Sequence, residues 1–200
     1  MGTAAVPIVL TFLLVFFAWR MVFSMNGDLV RARAWGVLAR KALPFGVLTL
    51  MALSMLVIRN FQEQGVLTAW VAIFVAGVLA ANFFSTPVAE RRASKAFRRG
   101  DYENAIAEYR TLSEERPLAR YLAFLGAALG ANGDSEESVE VSTRAVDADP
   151  KYGLAYYNRA LVHRRANRRS RAAKDLQRAI DADLPRRFKN AARKLLEEMK

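Results

Sequence analysis

The chain changes its hydrophobic pattern once, near residue 85. Before that point apolar residues follow one another in long unbroken stretches; after it they recur every three or four positions between charges, as on amphipathic helices. A bilayer core of about 30 Å takes about 20 helical residues to cross. Three stretches approach that length: 2–19, running on past Arg20 into Met21-Val22-Phe23, then 42–58 and 66–84. They predict a transmembrane region over 1–85, with helices at about 4–23, 42–58 and 66–84, because a helix satisfies its own backbone in lipid. Pro7 and Pro44 fall in first turns of these helices, where a missing N–H costs little. No basic residue precedes the first stretch, so it is expected to be a retained anchor rather than a cleaved leader. Trp19, Trp35 and Trp70 lie near stretch ends, where indole rings favour the membrane interface.

Charge sets the expected orientation, since Lys and Arg concentrate in the short cytoplasmic segments of membrane proteins. The connection at 20–41 carries Arg20, Arg31, Arg33, Arg40 and Lys41 against Asp28, whereas 59–65 carries Arg59 against Glu63. After the last stretch, 90–99 carries Arg91, Arg92, Lys95, Arg98 and Arg99 against Glu90. The two basic segments fall on one side, so an outside amino terminus and a cytoplasmic 86–200 are expected, in a bacterial inner membrane. No ionisable residue interrupts the interior of a stretch, which removes the usual marks of an ion path or proton relay. Ala72, Ala76 and Ala80, with Gly77 and Ala81 beside them, would let another helix approach closely. An alanine-rich membrane helix without a special partner accounts for that stripe equally well.

Beyond residue 85 the pattern repeats at steps of 33 and 34. Ala93, Gly126 and Ala160 each stand twelve positions before Ala105, Ser138 and Ala172, and each pair is expected where the two helices of a hairpin touch most closely. Tyr109, Ser142 and Leu176 follow four positions later, and Pro117, Pro150 and Leu184-Pro185 close the units. Gly100, Gly133 and Asn167 would end the first helix of each hairpin, and Asp101 and Asp134 would cap the second. The helices predicted are 87–99, 102–114, 118–131, 135–147, 152–165, 169–181 and 186–199, with Thr86-Pro87 as cap and first helical residue. Phe188, Ala191, Leu195 and Met199 share one side of the last, which fits an end cap.

These residues resemble the tetratricopeptide repeat (TPR) family in the small residue, the Gly-Asp loop, the alanine, the aromatic and the closing proline. The resemblance covers about 86–184, as repeats at about 86–118, 119–152 and 153–184, and a capping helix at 186–199 completes the domain 86–200. Ser138, Ser142 and the missing third loop glycine depart from the pattern. The expected fold class is therefore all-α: three N-terminal transmembrane helices followed by a C-terminal TPR-like α-solenoid of three helix hairpins plus a capping helix. The family binds extended peptides or helices in a groove lined by the first helix of each hairpin. That implies as groove candidates Glu90, Phe97, Arg98, Ala123, Ala127, Tyr157, Asn158, Leu161, Arg164 and Arg165. The resemblance stops short of the subtype that clamps a terminal carboxylate, because Ala123, Phe124 and Ala127 lack the polar groups it needs.

Net charge is +11 overall, but it is split along the repeats. Residues 101–150 carry four basic and eleven acidic residues, while 151–200 carry fifteen and five. Arg164, Arg165, Arg168, Arg169, Arg171 and Lys174 crowd the third hairpin, and Arg186, Arg187 and Lys189 follow. Such a patch attracts acidic proteins, anionic lipid or nucleic acid; an arginine-rich surface that serves only to solvate its helices has the same composition. Sparse aromatics near it, Tyr156, Tyr157 and Phe188, disfavour nucleic acid.

The chain has no cysteine and one histidine, His163, which excludes thiolate chemistry, disulfides and paired imidazoles. Asp147, Asp149, Asp181 and Asp183 form matching Asp-Ala-Asp runs at equivalent positions, the mark of helix ends rather than metal ligands. No catalytic residue, metal, cofactor or small-molecule substrate is expected. The expectation is a membrane-anchored adaptor, an assembly factor or accessory subunit, whose partners are proteins of a membrane complex or its cytoplasmic segments, and membrane lipids. A second expectation is a factor resembling, in outline, those of cytochrome c maturation, with periplasmic repeats. A third is a binder of anionic lipid or nucleic acid through the basic third repeat.

Overall fold

The computed structural model describes residues 5–58 and 64–199, and every regular element among them is a helix. Arg59, Glu63 and Lys200 lie outside the described residues. The chain divides into two compact units, Met1–Pro87 and Val88–Lys200.

The first unit contains α1 (Ala5–Met25), α2 (Gly27–Arg31), α3 (Trp35–Ile58) and α4 (Gln64–Phe84). Two segments are long and apolar enough to cross a membrane, Trp35–Met55 of α3 and Gln64–Phe84. In α1 the apolar helical stretch among the described residues is Thr11–Met25, shorter than a span. Three spans are thus not established, and two helices remain candidates. Their side chains do not form a core: Leu50, Ile73, Leu79 and Phe84 are all more than 60% exposed.

α3 starts well before the predicted residue 42. Val37, Leu38 and Ala42 are buried at helical spacing while Arg40 points outward, so the segment is an amphipathic first stretch of the same helix. Pro44 consequently sits inside the helix, not in its first turn. It leaves the Arg40 carbonyl without its usual i+4 donor. The indoles of Trp19 and Trp70, expected at the membrane interface, donate to Thr49 Oγ1 and Ser54 Oγ of α3, each at 3.0 Å. The small residues of α4 divide in two. Ala81 is buried and Gly77 lies so close to α3 that a methyl there would sit 3.3 Å from Val47 Cγ1, while Ala72, Ala76 and Ala80 are exposed.

The second unit is built from α5 (Val88–Arg98), α6 (Tyr102–Glu115), α7 (Ala119–Asn132), α8 (Ser135–Ala148), α9 (Gly153–Arg165), α10 (Arg169–Asp181) and α11 (Arg186–Glu197). Helices pair as α5–α6, α7–α8 and α9–α10, successive hairpins stack through α6–α7, α8–α9 and α7–α9, and α11 packs on α10. Ala93, Ala105, Ser138, Ala160 and Ala172 are at most 1% exposed, and Gly126 is buried with them. At these contacts side chains are small because the helices meet almost backbone to backbone.

Each hairpin turns in the same way. The amide of Asp101 donates to Ala96 O, that of Asp134 to Leu129 O and that of Arg168 to His163 O, which closes each first helix with a six-to-one bond. The residue inside that bond has positive φ: Gly100 at 78°, Gly133 at 105° and Asn167 at 55°. Asparagine tolerates this conformation, so the third turn keeps the geometry without the glycine. Asp101 caps α6, accepting from the Asn104 amide at 3.3 Å. Asp134 does not cap α8; its carboxylate accepts instead from Asn132 Nδ2 at 2.8 Å.

Two hydrophobic clusters fill the stack. One joins Tyr109, Leu112, Tyr121, Leu122, Leu125, Leu129 and Val141; the other joins Leu154, Tyr156, Tyr157, Leu176, Leu184 and Ala192. Phe188, Ala191, Leu195 and Met199 of α11 pack on the second and cover its outer side.

Candidate interaction surfaces of the helical stack

The groove candidates fall into three groups. Ala123 is fully buried, Tyr157 is 9% exposed with its ring tilted against Phe188 of α11, and Asn158 donates from Nδ2 to Ala123 O at 2.8 Å. These three are corrected from groove to interior: α9 lies against α7, and the carboxamide of Asn158 satisfies a backbone carbonyl of its neighbour. A second group is half-buried, with Phe97 edge-on to Tyr102 at 5.6 Å, Ala127, Leu161, and Glu90, whose Oε2 accepts from the Tyr121 hydroxyl at 3.4 Å. The third is exposed. Arg98 donates to Ser94 Oγ at 2.6 Å, Arg164 approaches Glu198 at 3.9 Å, and Arg165 donates to Gly130 O. Among the groove candidates, one partly open apolar side chain thus remains on the first helix of each hairpin: Phe97, Ala127 and Leu161 in turn.

Glu90 also bears on two phenols. Burial and the Glu90 carboxylate push Tyr109 and Tyr121 up to about 12, so both phenols stay neutral, and Tyr121 donates to Glu90.

A polar network that the sequence did not flag lies between α9 and α10. Arg159 grips Asp175 with two parallel bonds, Nε to Oδ2 and Nη2 to Oδ1, both 2.8 Å, and reaches Thr143 Oγ1 of α8 at 2.9 Å. Asp175 is 4% exposed, and His163 Nε2 stands 3.9 Å from its Oδ2. The fork holds the hairpin closed and ties it to the repeat before it. His163 Nδ1 is buried without a hydrogen-bond partner. Burial pulls the imidazole below its ordinary value; Asp175 opposes this, and Arg159, Arg168 and Arg171 reinforce it.

The sign for stability follows. Unfolded, this imidazole takes a proton near pH 6.5; folded, it stays neutral further down, so the unfolded state binds more protons in that window. Stability contributed here is intact above about pH 6.5 and declines as pH falls toward the folded value. His163→Gln is expected to flatten that part of the stability-against-pH curve, measured by urea unfolding between about pH 7 and 5.

The second hairpin carries a buried polar pair. Ser138 Oγ donates to Gly126 O at 2.6 Å, but Ser142 Oγ, packed against Gly126, is buried with no partner. Ser142→Ala removes an unpaired hydroxyl from the tightest helix crossing and is expected to raise stability by about 1 kcal/mol, read as a higher urea midpoint at unchanged slope.

The basic patch is exposed at Arg164, Arg165, Arg168, Arg169, Arg171, Lys174, Arg186 and Arg187, with Lys189 half-buried. Arg168, Arg169, Ser170 and Arg171 line a shallow open depression at the α9–α10 turn. Arg187 is partly engaged, its guanidinium lying 4.6 Å from the centre of the Phe188 ring. The Asp-Ala-Asp runs end helices: Asp149 caps α8 and accepts from the Lys151 amide at 3.0 Å, and Asp181 accepts from Gln177 Nε2 at 3.1 Å. Among the described residues no group of three or more His, Cys, Asp or Glu is placed to hold a metal ion.

No curated protein matches the chain. Residues 119–152, which are α7, α8 and the turn into α9, match the family described as tetratricopeptide repeat. Among solved structures the chain is similar to the TPR domain of Sgt2 from Aspergillus fumigatus, at 24% identity and a TM-score of 0.50, over 57% of this chain and 78% of that one. The chain therefore contains a tetratricopeptide repeat at 119–152, within a helical stack that shares the fold of a solved TPR domain.

Proposed function

We propose that this protein is a membrane-anchored adaptor, an assembly factor or accessory subunit that uses its helical stack to hold a protein partner at a membrane complex. The observation that carries this reading is the division of labour between the two units. One exposes large apolar side chains along helices of membrane length; the other is a polar, end-capped stack whose first helices keep Phe97, Ala127 and Leu161 partly open. A soluble core helix would bury the side chains that α4 exposes. A repeat stack offers a long continuous surface suited to an extended chain or a helix.

The orientation rests on α3 and α4 alone. If both cross, the basic segments 20–41 and 90–99 share a side whatever α1 does, and their charge favours the cytoplasm. The position of α1 decides only where the amino terminus lies. The cytochrome c maturation layout, with repeats on the far side, would place both basic segments against that preference.

Anchoring is tested by alkaline carbonate extraction of membranes, in which an integral protein stays in the pellet; release into the supernatant overturns it. Reporter fusions after Ile58, Phe84 and Lys200 test orientation, and a periplasmic signal at Lys200 overturns the cytoplasmic assignment. The adaptor reading is tested with a photo-crosslinking amino acid at Ala127 or Leu161 in intact cells. One discrete protein adduct is the expected result; a diffuse background equal to that from an exposed position on α8 such as Arg144 counts against it.

A further inference from the structure

The third hairpin breaks a rule of helix electrostatics without compensation. From Lys151 to Lys174 the chain holds no acidic residue, and Asp175, the next one, is buried and already gripped by Arg159. α10 opens with Arg169, Ser170 and Arg171 behind Arg168, has no acidic residue in its first turn and no side-chain cap, although a helix start carries partial positive charge. The side chains of Arg168, Arg169, Arg171 and Lys174 are exposed and form no ion pair among the described residues. Positive charge is thus stacked on a positive helix end and left unneutralised.

We propose that this arginine-rich α9–α10 tip is a docking surface for the phosphate-bearing headgroups of an anionic lipid membrane. The shape and composition of the tip select that class of ligand. It is an exposed turn with a shallow open depression, so it meets a surface rather than enclosing a peptide. Between residues 164 and 174 the exposed side chains are basic or small and polar apart from Ala166, so a protein partner would find no aromatic or aliphatic anchor. No aromatic residue lies within that segment to stack a base. An anionic bilayer needs neither, and guanidinium groups pair with phosphate through two parallel bonds. This proposal rests on the membrane reading above, and its test is separate from the carbonate test of anchoring.

The full chain is held in phosphatidylcholine nanodiscs and mixed with sucrose-loaded vesicles of phosphatidylcholine, with or without phosphatidylglycerol. Co-sedimentation only with the phosphatidylglycerol vesicles is expected, weakening as salt rises. Each basic side chain at such a surface contributes about fivefold in binding, so Arg168→Gln, Arg169→Gln and Arg171→Gln together should cost about a hundredfold. Arg144→Gln, on α8 and outside the patch, should leave binding unchanged. Equal binding to both vesicles, or no loss in the triple variant, overturns the proposal. Full displacement by inorganic phosphate at matched ionic strength assigns a site for soluble phosphate and overturns the lipid source. Tighter retention of polyglutamate or of a homopolymeric RNA than of the vesicles overturns it in favour of those ligands.

Discussion

Asp175→Ala should lower the unfolding free energy of the 88–200 unit by about 3–5 kcal/mol. Taking one partner from a buried ion pair costs far more than the pair itself contributes, because the remaining charge stays in a poor solvent. Here two groups are left behind. Arg159 loses both bonds of its fork and keeps only Thr143, and His163 loses the one carboxylate beside it. Urea unfolding followed by helical circular dichroism measures the change, and a loss below about 1 kcal/mol would mean that water reaches the fork and screens it. The paired replacement Arg159→Met with Asp175→Leu separates the two effects. With no charge remaining, stability should return to near the parent value or above it.

Leu129→Ala should cost about 2–5 kcal/mol, toward the upper end. The residue is 1% exposed within the first hydrophobic cluster. The cost of such a truncation depends on how far the surroundings can collapse into the cavity. Around Leu129 they cannot move far: a methyl on adjacent Gly130 would already lie 2.7 Å from Val162 Cγ2 and 3.0 Å from Ser138 Oγ, so α7 is pressed against α8 and α9. A cavity held open in this way should also take up xenon or benzene and recover part of the loss. Recovery of full stability without ligand would show that the helices do close in.

The hairpins were legible because their signals are local and repeat. Small residues twelve positions apart, and Gly or Asn at each turn, fix the pairing of two helices from sequence alone, and the helix bounds differ from those expected by only one or two residues. The stack was harder to read where two hairpins meet. Ala123 and Asn158 sit at groove positions of the pattern, yet α9 approaches α7 closely enough to take both into the interior. That approach rests on Gly130, where a methyl would lie 2.7 Å from Val162 Cγ2 of α9, and nothing in the repeat pattern singles that glycine out. The Arg159–Asp175 fork did leave a trace: an arginine within the apolar face of α9, and an aspartate brought beside it once Ala160 and Ala172 set the register of the hairpin. In the apolar half, length and composition found α3 and α4, but the amphipathic start of α3 hid behind Arg40 and Lys41, which moved Pro44 from a helix end to its interior.

Phe124, Val146 and Tyr152 belong to both hydrophobic clusters and are the partly buried residues those clusters share. The coupling between the first two hairpins and the third runs through these three side chains and through the α7–α9 contact, where Ala155 joins the first cluster, Asn158 bonds Ala123 O and Val162 lies against Gly130, with the Arg159–Thr143 bond beside it. A solenoid joined by so broad a seam behaves more like one cooperative block than like two foldons in series. The slowest amide hydrogens of α7 and α9 should then exchange through a shared opening, so a ligand bound at the α9–α10 tip would slow exchange in α7 as well as in the hairpin that it touches.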